Sequence, residues 1–421
     1  TSVRLRNQLI YSVFVRDYGK NGTFNDVTKD LQRIKMLGTD MIWLMPIHPI
    51  GETGRKGREG SPYAIKDYRA VNPSYGTMKD FIHLTEEIHR LNMKCIIDVV
   101  YNHTSPDSVL AKEHPEWFHQ DEDGKPIARV KEWWDIVDLD YKHKELWDYQ
   151  IETLQFWAKY VDGFRCDVAP FVPLEFWQQA RSAVEKVRPG AYWLAESVEP
   201  QFIRNIRSTG ELCLSDSELY QVFDACYDYD IYHAFSDYLL GTGSLEKYLY
   251  LLNLQESIYP ENYIKLHFTE NHDRTRTAAL IPDLRRRKHV TAFSLFQKGA
   301  ALIYNGQEYS ADEYADIFEK KPIDRSKDDI SDLIFKMSRI KKLDISAFGS
   351  FTATEISEGM VCAVYTYGEK KMIGLFSIGS KAAAVNIGLP DGSYLNEYDN
   401  KKIYINDGII PVYEDPVIII T

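Results

Sequence analysis

Four stretches of the chain put acids where an apolar run gives way to polar sequence. Asp98 ends the run from Lys94, with Asn102 and His103 just beyond it. Arg165 and Asp167 close the run from Val161, Glu196 follows Tyr192–Ala195, and Glu270, His272 and Asp273 follow Ile264–Phe268. Alone, any one of these acids reads as a helix cap or a solvated loop charge. Acids at four strand ends, with an arginine and two histidines on the same rim, read as a reaction site. Cleaving a glycosidic bond requires an ionised carboxylate and a protonated carboxyl flanking the bond, in environments that hold their pKa values apart. Residues i and i+2 of a strand share a face, so the Arg165 guanidinium can hold Asp167 ionised and oriented. Glu196 follows an apolar run, surroundings that raise a carboxyl pKa as a proton donor requires. Reading His103 and His272 as metal ligands fails for want of a third His or Cys at suitable spacing. His48 reads as structural, and Glu308 is given no role.

Delivering these residues to one rim takes a particular scaffold. From about residue 8 to 342, strand-like and helix-like segments alternate. The strands are Gln8–Val15, Met41–Ile47, Lys94–Val100, Val161–Cys166, Tyr192–Ala195, Val222–Tyr227, Ile264–Phe268 and Ala300–Tyr304. Between them, Phe24–Leu37, Met78–Leu91, Leu146–Tyr160, Leu174–Val187, Pro200–Ser208, Ile231–Leu254 and Lys288–Lys298 carry apolar residues at helical spacing. Eight strands, each followed by helix, predict a (β/α)₈ TIM barrel of the α/β class, whose working residues sit where strands end and loops begin. Two stretches break the rhythm. Thr104–Val137 is polar with Trp117, Trp133 and Trp134, an excursion after the third strand. Past about Ser346 the runs Val361–Tyr367, Lys371–Ser377, Ala382–Ile387 and Pro416–Ile420 read as short strands between turns, a C-terminal antiparallel β domain. The expected division is a barrel over 1–103 and 138–345, an inserted region over 104–137 and a β-sandwich over 346–421.

The 421 residues suffice for one large and one small domain, and 44% hydrophobic with 27% charged residues is a globular balance. A net charge of -12 repels phosphate backbones and anionic membranes, which argues against nucleic acid or membrane as partner. A neutral polyol suits it. Aromatic residues at 13% supply rings that can stack on sugar faces. The basic run Arg285–Lys288 reads as a solvated helix face. No apolar run approaches the ~18 residues that cross a bilayer. The N-terminus lacks a signal peptide's apolar core, and five cysteines (Cys95, Cys166, Cys213, Cys226 and Cys362) without a CxxC pair favour a reducing, cytoplasmic setting. The missing initiator Met also fits a trimmed leader and secretion.

These segments resemble the α-amylase family, glycoside hydrolase family 13. Asp98–His103, Gly163–Asp167, Glu196 and Phe268–Asp273 resemble its four conserved regions, in the family's order and at the expected strands. Ser61, Pro62 and Tyr63 with Asp67 and Tyr68, and Tyr304–Glu308, resemble flanking motifs. The resemblance covers about residues 8–345. It implies Asp167 as nucleophile, Glu196 as general acid/base and Asp273 as a third essential carboxylate that grips sugar hydroxyls. It implies Tyr63, His103, Arg165 and His272 as the substrate-binding group, with Asp98 and Arg165 also supporting the nucleophile from behind. The activity implied is retaining hydrolysis of α-1,4-linked glucans or malto-oligosaccharides through a covalent glycosyl-enzyme. A glucanotransferase or an α-1,6-glucosidase uses the same residues.

Some positions depart from the pattern. Where many calcium-containing members carry Lys-His three and four residues past the nucleophile, this chain has Pro170 and Phe171, so binding on the leaving side differs. The family's calcium ligands match only at Asn102 and Asp138, with the Phe171 carbonyl as a further oxygen. The chemistry itself requires no cofactor. Val168, directly after the nucleophile, resembles members that cleave α-1,6 links. The excursion of ~30 residues is short for the family and hints at an open cleft. Relatives that have lost catalysis and serve as membrane-protein partners would show a missing carboxylate and a transmembrane anchor; this sequence shows neither. It sets no oligomeric state.

Overall fold

The structure, a computed structural model, describes residues 1–381 and 383–421. Eight strands, β1 (Leu9–Val13), β2 (Met41–Leu44), β3 (Lys94–Val99), β4 (Gly163–Cys166), β5 (Tyr192–Ala195), β6 (Ala225–Tyr227), β7 (Lys265–His267) and β8 (Ala300–Tyr304), form a closed barrel in chain order. All pairings are parallel, and β8 returns onto β1 with Leu9 opposite Ala301. Every residue of β1, β2, β4, β5 and β8 is buried, which is why these strands read as unbroken apolar runs rather than alternating ones. The helices Phe24–Met36 and Met78–Arg90 each start in a reciprocal capping box, Thr23 with Asp26 and Thr77 with Asp80. Phe24, Val27, Leu31 and Ile34 on the first, and Phe81, Leu84 and Ile88 on the second, pack against the barrel.

Element order follows the sequence pattern, while several boundaries move inward. Val15 opens a helical turn, Val15–Tyr18, instead of prolonging β1. Val222 and Phe223 lie in a turn ahead of β6. The stretch Ile231–Leu254 holds two helices, Tyr232–Leu239 and Leu245–Ile258, parted by a turn containing Gly241 and Gly243. The excursion leaves and re-enters through a small antiparallel pairing of His103 with Asp138 and Thr104 with Val137.

Beyond Phe348 the chain is antiparallel. It forms β9 (Ser350–Ser357), β10 (Met360–Tyr367), β11 (Lys370–Ser377), β12 (Ala383–Val385), β13 (Gly392–Asn396), β14 (Lys401–Ile405), β15 (Ile410–Val412) and β16 (Val417–Ile420). The main sheet runs β9-β10-β11-β16, with β12 paired to β15 and β13 to β14. Of the third expected strand, Ala382 lies outside the described residues. The strands β9, β13 and β14 escaped sequence reading because most of their residues are exposed or half-exposed and polar.

The basic run Arg285–Lys288 is not a solvated face. It lies on the helix Leu284–Phe296, which packs against β11, and its cations cap backbone carbonyls of the C-terminal domain. Arg285 donates to the Ser377 and Gly379 carbonyls at 3.2 and 2.9 Å, Arg286 to Ile378 O at 2.7 Å, and Lys288 pairs with Asp415 at 2.8 Å. Arg287 turns the other way, to Ile281 O and Ser310. His289, fully buried, accepts from Ser377 N at 3.0 Å through Nδ1 and donates from Nε2 to Tyr413 O at 2.8 Å. Phe293 stacks on Phe376, and Phe296 packs edge-on against Tyr365 and tilted against Phe376, to complete the junction.

Candidate active site

The strand ends β3, β4, β5 and β7 bring the expected acids to one rim. Arg165, on β4 with no side-chain exposure, is their hub. Its Nη1 donates to Asp98 Oδ1 and to Asp167 Oδ1, both at 2.9 Å, and its Nε donates to Tyr227 OH at 3.1 Å. Its Nη2 lies 3.2 Å from Glu196 Oε2. The guanidinium is held between the Trp43 and Tyr227 rings, 4.8 and 5.3 Å away. Arg165 is therefore placed behind the carboxylates and not against a sugar, a correction to its expected share in substrate contact. Asp98, fully buried, also accepts from Trp43 Nε1 at 3.0 Å and Tyr63 OH at 2.9 Å.

Cys166 on β4 is opposite Ala195 on β5, so Asp167 and Glu196 leave neighbouring strands side by side, and both meet the Arg165 guanidinium. Burial, and then the Glu196 carboxylate beside it, push the Asp167 carboxyl up; Arg165 opposes both. Val168 joins them from below. It is a β-branched residue in the left-handed region, φ 35° and ψ 46°, a strained conformation of the kind found at functional sites. In it the Val168 N–H donates to Glu196 Oε2 at 2.8 Å. One strained peptide thus ties the Asp167 backbone to the Glu196 side chain.

Across the pocket, Tyr63 and His272 stack with ring centres 5.3 Å apart, and Tyr63 OH lies 2.9 Å from His272 Nε2. His272 Nε2 is 3.1 Å from Asp273 Oδ2, whose side chain is 45% exposed and so faces the cleft. Burial alone would raise the Asp273 carboxyl, but the adjoining His272 ring, with Arg165 and Arg274 farther off, holds it well below the usual range. His103 is buried, which lowers its pKa and favours the neutral ring. Its tautomer is set at one remove: Arg129 Nη2 donates to Asn102 Oδ1 at 3.2 Å, so the Asn102 amide N–H points at His103 Nδ1, 3.1 Å away, and the ring hydrogen sits on Nε2.

That same guanidinium bears on calcium. Asn102 and Asp138 are the two residues offered for the ion, and Arg129 stands between them. Besides Asn102 Oδ1, it reaches Asp138 Oδ2 from Nε at 2.9 Å and from its backbone N–H at 2.8 Å. Only Asp138 Oδ1 is left without a partner, whereas calcium takes six to eight oxygens. Among the described residues no three metal-ligating side chains converge. The donors do not fit calcium, because a side-chain cation already neutralises them. The Phe171 ring packs against Phe202, and its carbonyl is the one further oxygen offered for the ion. Glu308, given no role, is a buried acceptor for Tyr11 OH at 2.6 Å and Arg33 at 3.0 Å. His48 is buried against Trp157, with Nδ1 2.9 Å from Ala70 O, as a structural residue should be.

The cavity above the carboxylates measures about 300 Å³ and is lined by Tyr63, His103, Asp167, Glu196, His272 and Asp273. It is lined also by Trp133, noted above in the excursion, and by residues the sequence did not single out: Lys56 from the loop after β2, Asp135 from the excursion, and Ile317 and Phe318 from the loop after β8. The glycines at 51, 54, 57 and 60 are a signal, not read above, of a loop able to approach other backbone closely; nothing in the sequence marks Arg129.

A closed parallel barrel with carboxylates, an arginine hub and two histidines at the C-terminal rim of its strands defines a barrel glycosidase. Residues 9–343 match the family model for the α-amylase catalytic domain, and residues 352–419 that for the bacterial α-amylase C-terminal domain. The chain belongs to the α-amylase family and is a glycoside hydrolase of that type. Its fold follows that of an α-amylase from Lactobacillus plantarum with a TM-score of 0.97, at 46% identity and with all of both chains covered. A noncanonic maltogenic α-amylase, AmyB, from Thermotoga neapolitana superposes with a TM-score of 0.87 at 34% identity over 99% of each chain. An α-1,4-glucan:maltose-1-phosphate maltosyltransferase from Myxococcus xanthus is 32% identical over 48% of this chain, which spans only 34% of that longer protein.

Proposed function

We propose that the protein hydrolyses α-1,4-linked glucans and malto-oligosaccharides with retention of configuration. Asp167 attacks the anomeric carbon, and Glu196 gives its proton to the departing glycosidic oxygen. Water, deprotonated by Glu196, then releases the sugar from Asp167. Asp273, His272 and His103 grip hydroxyls of the sugar being cleaved, and Tyr63 stacks on its ring. The observation that carries this reading is that Asp167 and Glu196 leave adjacent strands and meet one arginine, at 2.9 and 3.2 Å. Retention needs one carboxyl as nucleophile and one as acid, and neighbouring strand ends present the two together. Neighbouring strands lie about 4.7–4.9 Å apart, closer than the gap of about 6.5–9.5 Å that an inverting enzyme keeps for its water. No metal enters the scheme. Proton NMR of the first products from a malto-oligosaccharide tests it: the α-anomer appears first, and β grows in by mutarotation. A β-anomer at the outset would refute it.

A second reading rests on the maltosyltransferase likeness. The covalent sugar passes to another glucan rather than to water, through the same first step. With maltotriose as sole substrate, transfer yields longer oligomers and hydrolysis does not.

A further inference from the structure

The sequence hinted at an open cleft, but one end of the cavity is walled. The loop between Gly51 and Gly60 is stitched to the loop after β8: Glu59 N donates to Phe318 O and Arg58 N to Glu319 Oε1, each at 3.1 Å. Gly57, at φ +72°, lies so close that a β-carbon there would stand 2.5 Å from Phe318 O. Gly54, at φ +70°, would meet Trp134 O at 2.8 Å. Lys56 then crosses to the excursion. Its Nζ donates to Glu132 O at 2.9 Å, sits 3.6 Å from Asp135 Oδ1, and lies 4.1 Å from the Trp134 ring centre. Three loops, after β2, β3 and β8, thus lock together beside the cavity.

Their position decides which end of a glucan they face. In the barrel order β1 lies four strands from β5 in either direction; the loops after β8 and β2 flank β1 directly, and the excursion after β3 reaches back to join them. Glu196 ends β5, so the leaving part of the chain extends past β5. In a glucose ring C4 lies across from C1; the non-reducing side of the cleaved sugar therefore points at the wall. We propose that the enzyme feeds on non-reducing chain ends, with Lys56 and Asp135 as the pair that recognises the terminal sugar. The terminal 4-hydroxyl donates to Asp135 and accepts from Lys56, whereas a chain continuing through O4 would run into Lys56 and Phe318.

This proposal rests on the α-glucan reading, and the test separates the two. Maltoheptaose is compared with the same chain bearing a 4,6-O-ethylidene group on its non-reducing glucose. The expected result is slower cleavage of the blocked chain by at least roughly 100-fold. Lys56→Ala, and independently Phe318→Ala, which disturbs no ion pair, should shrink that ratio to within about tenfold. Equal rates on both chains with the wild-type enzyme would overturn end recognition while leaving glucan hydrolysis intact. No cleavage of either chain would remove the α-glucan reading, and end recognition with it.

Discussion

Replacing Arg129 with alanine probes the cation that stands where calcium was expected. The Asp138 side chain is 2% exposed and that of Arg129 26%. Removing one partner of a fully buried ion pair costs about 3–5 kcal/mol. Here the backbone N–H of residue 129 stays on Asp138 Oδ2, and a quarter-exposed guanidinium is partly screened by solvent, which lowers the figure to about 2–3 kcal/mol. Unfolding entropy of roughly 2.1 cal/mol/K per residue over 421 residues gives about 0.9 kcal/mol/K, so Tm should fall by about 2–3 °C. Calorimetry with and without a chelator is the assay. Wild-type Tm should be the same in EDTA and in excess calcium, because the donors are taken. The variant should also show a raised KM, since Asn102 no longer fixes the His103 tautomer. A wild-type Tm that drops in EDTA, or a variant as stable as wild type, would refute the assignment.

Three further outcomes are expected. Asp167→Asn keeps the volume and removes the nucleophilic charge, so glucan turnover should fall by more than roughly 1,000-fold while the thermal melt stays cooperative; a folded variant with over a tenth of the activity would exclude Asp167 as nucleophile. Glu196→Gln should lose roughly 100-fold or more on natural glucans yet keep the first step on a glycosyl fluoride, whose leaving group needs little protonation; equal loss on both would take Glu196 out of the acid role. His289 is held to about 4 against an ordinary 6.5 by burial. Between those values the unfolded chain binds a proton that the folded one refuses, so stability falls as pH drops through that window, by about 3 kcal/mol in all. Melts from pH 7 to 4 should show this contribution, and His289→Gln should make the slope shallower; His48, held to about 4 by burial in the same way, supplies a like share.

The barrel was legible because its strands are buried on both faces and its helices carry apolar stripes; both patterns survive in a bare sequence. The acids were legible because they stand where those runs end. Side chains that work by reaching across the fold were not. Arg129 sits in a polar stretch without periodicity, and only the pairing of His103 with Asp138 brings it between Asn102 and Asp138. Arg285 and Arg286 look solvated until the C-terminal domain supplies carbonyls for them. Lys56 gains meaning only once Phe318, far along the chain, lies against Gly57. Edge strands such as Ser350–Ser357 bury only Phe351 and Ala353, an alternation too short to read in a sequence.

The junction at the helix Leu284–Phe296 bears on how this protein can be taken apart. That helix belongs to the barrel by sequence order, yet Arg285, Arg286, Lys288 and His289 spend their hydrogen bonds on Ser377, Ile378, Gly379, Tyr413 and Asp415. The C-terminal domain is therefore not an appendage that can be trimmed or exchanged as a module. A truncated chain would leave the buried imidazole and the Phe293 and Phe296 rings facing water. A chimera would have to carry the helix surface across together with the sheet that satisfies it.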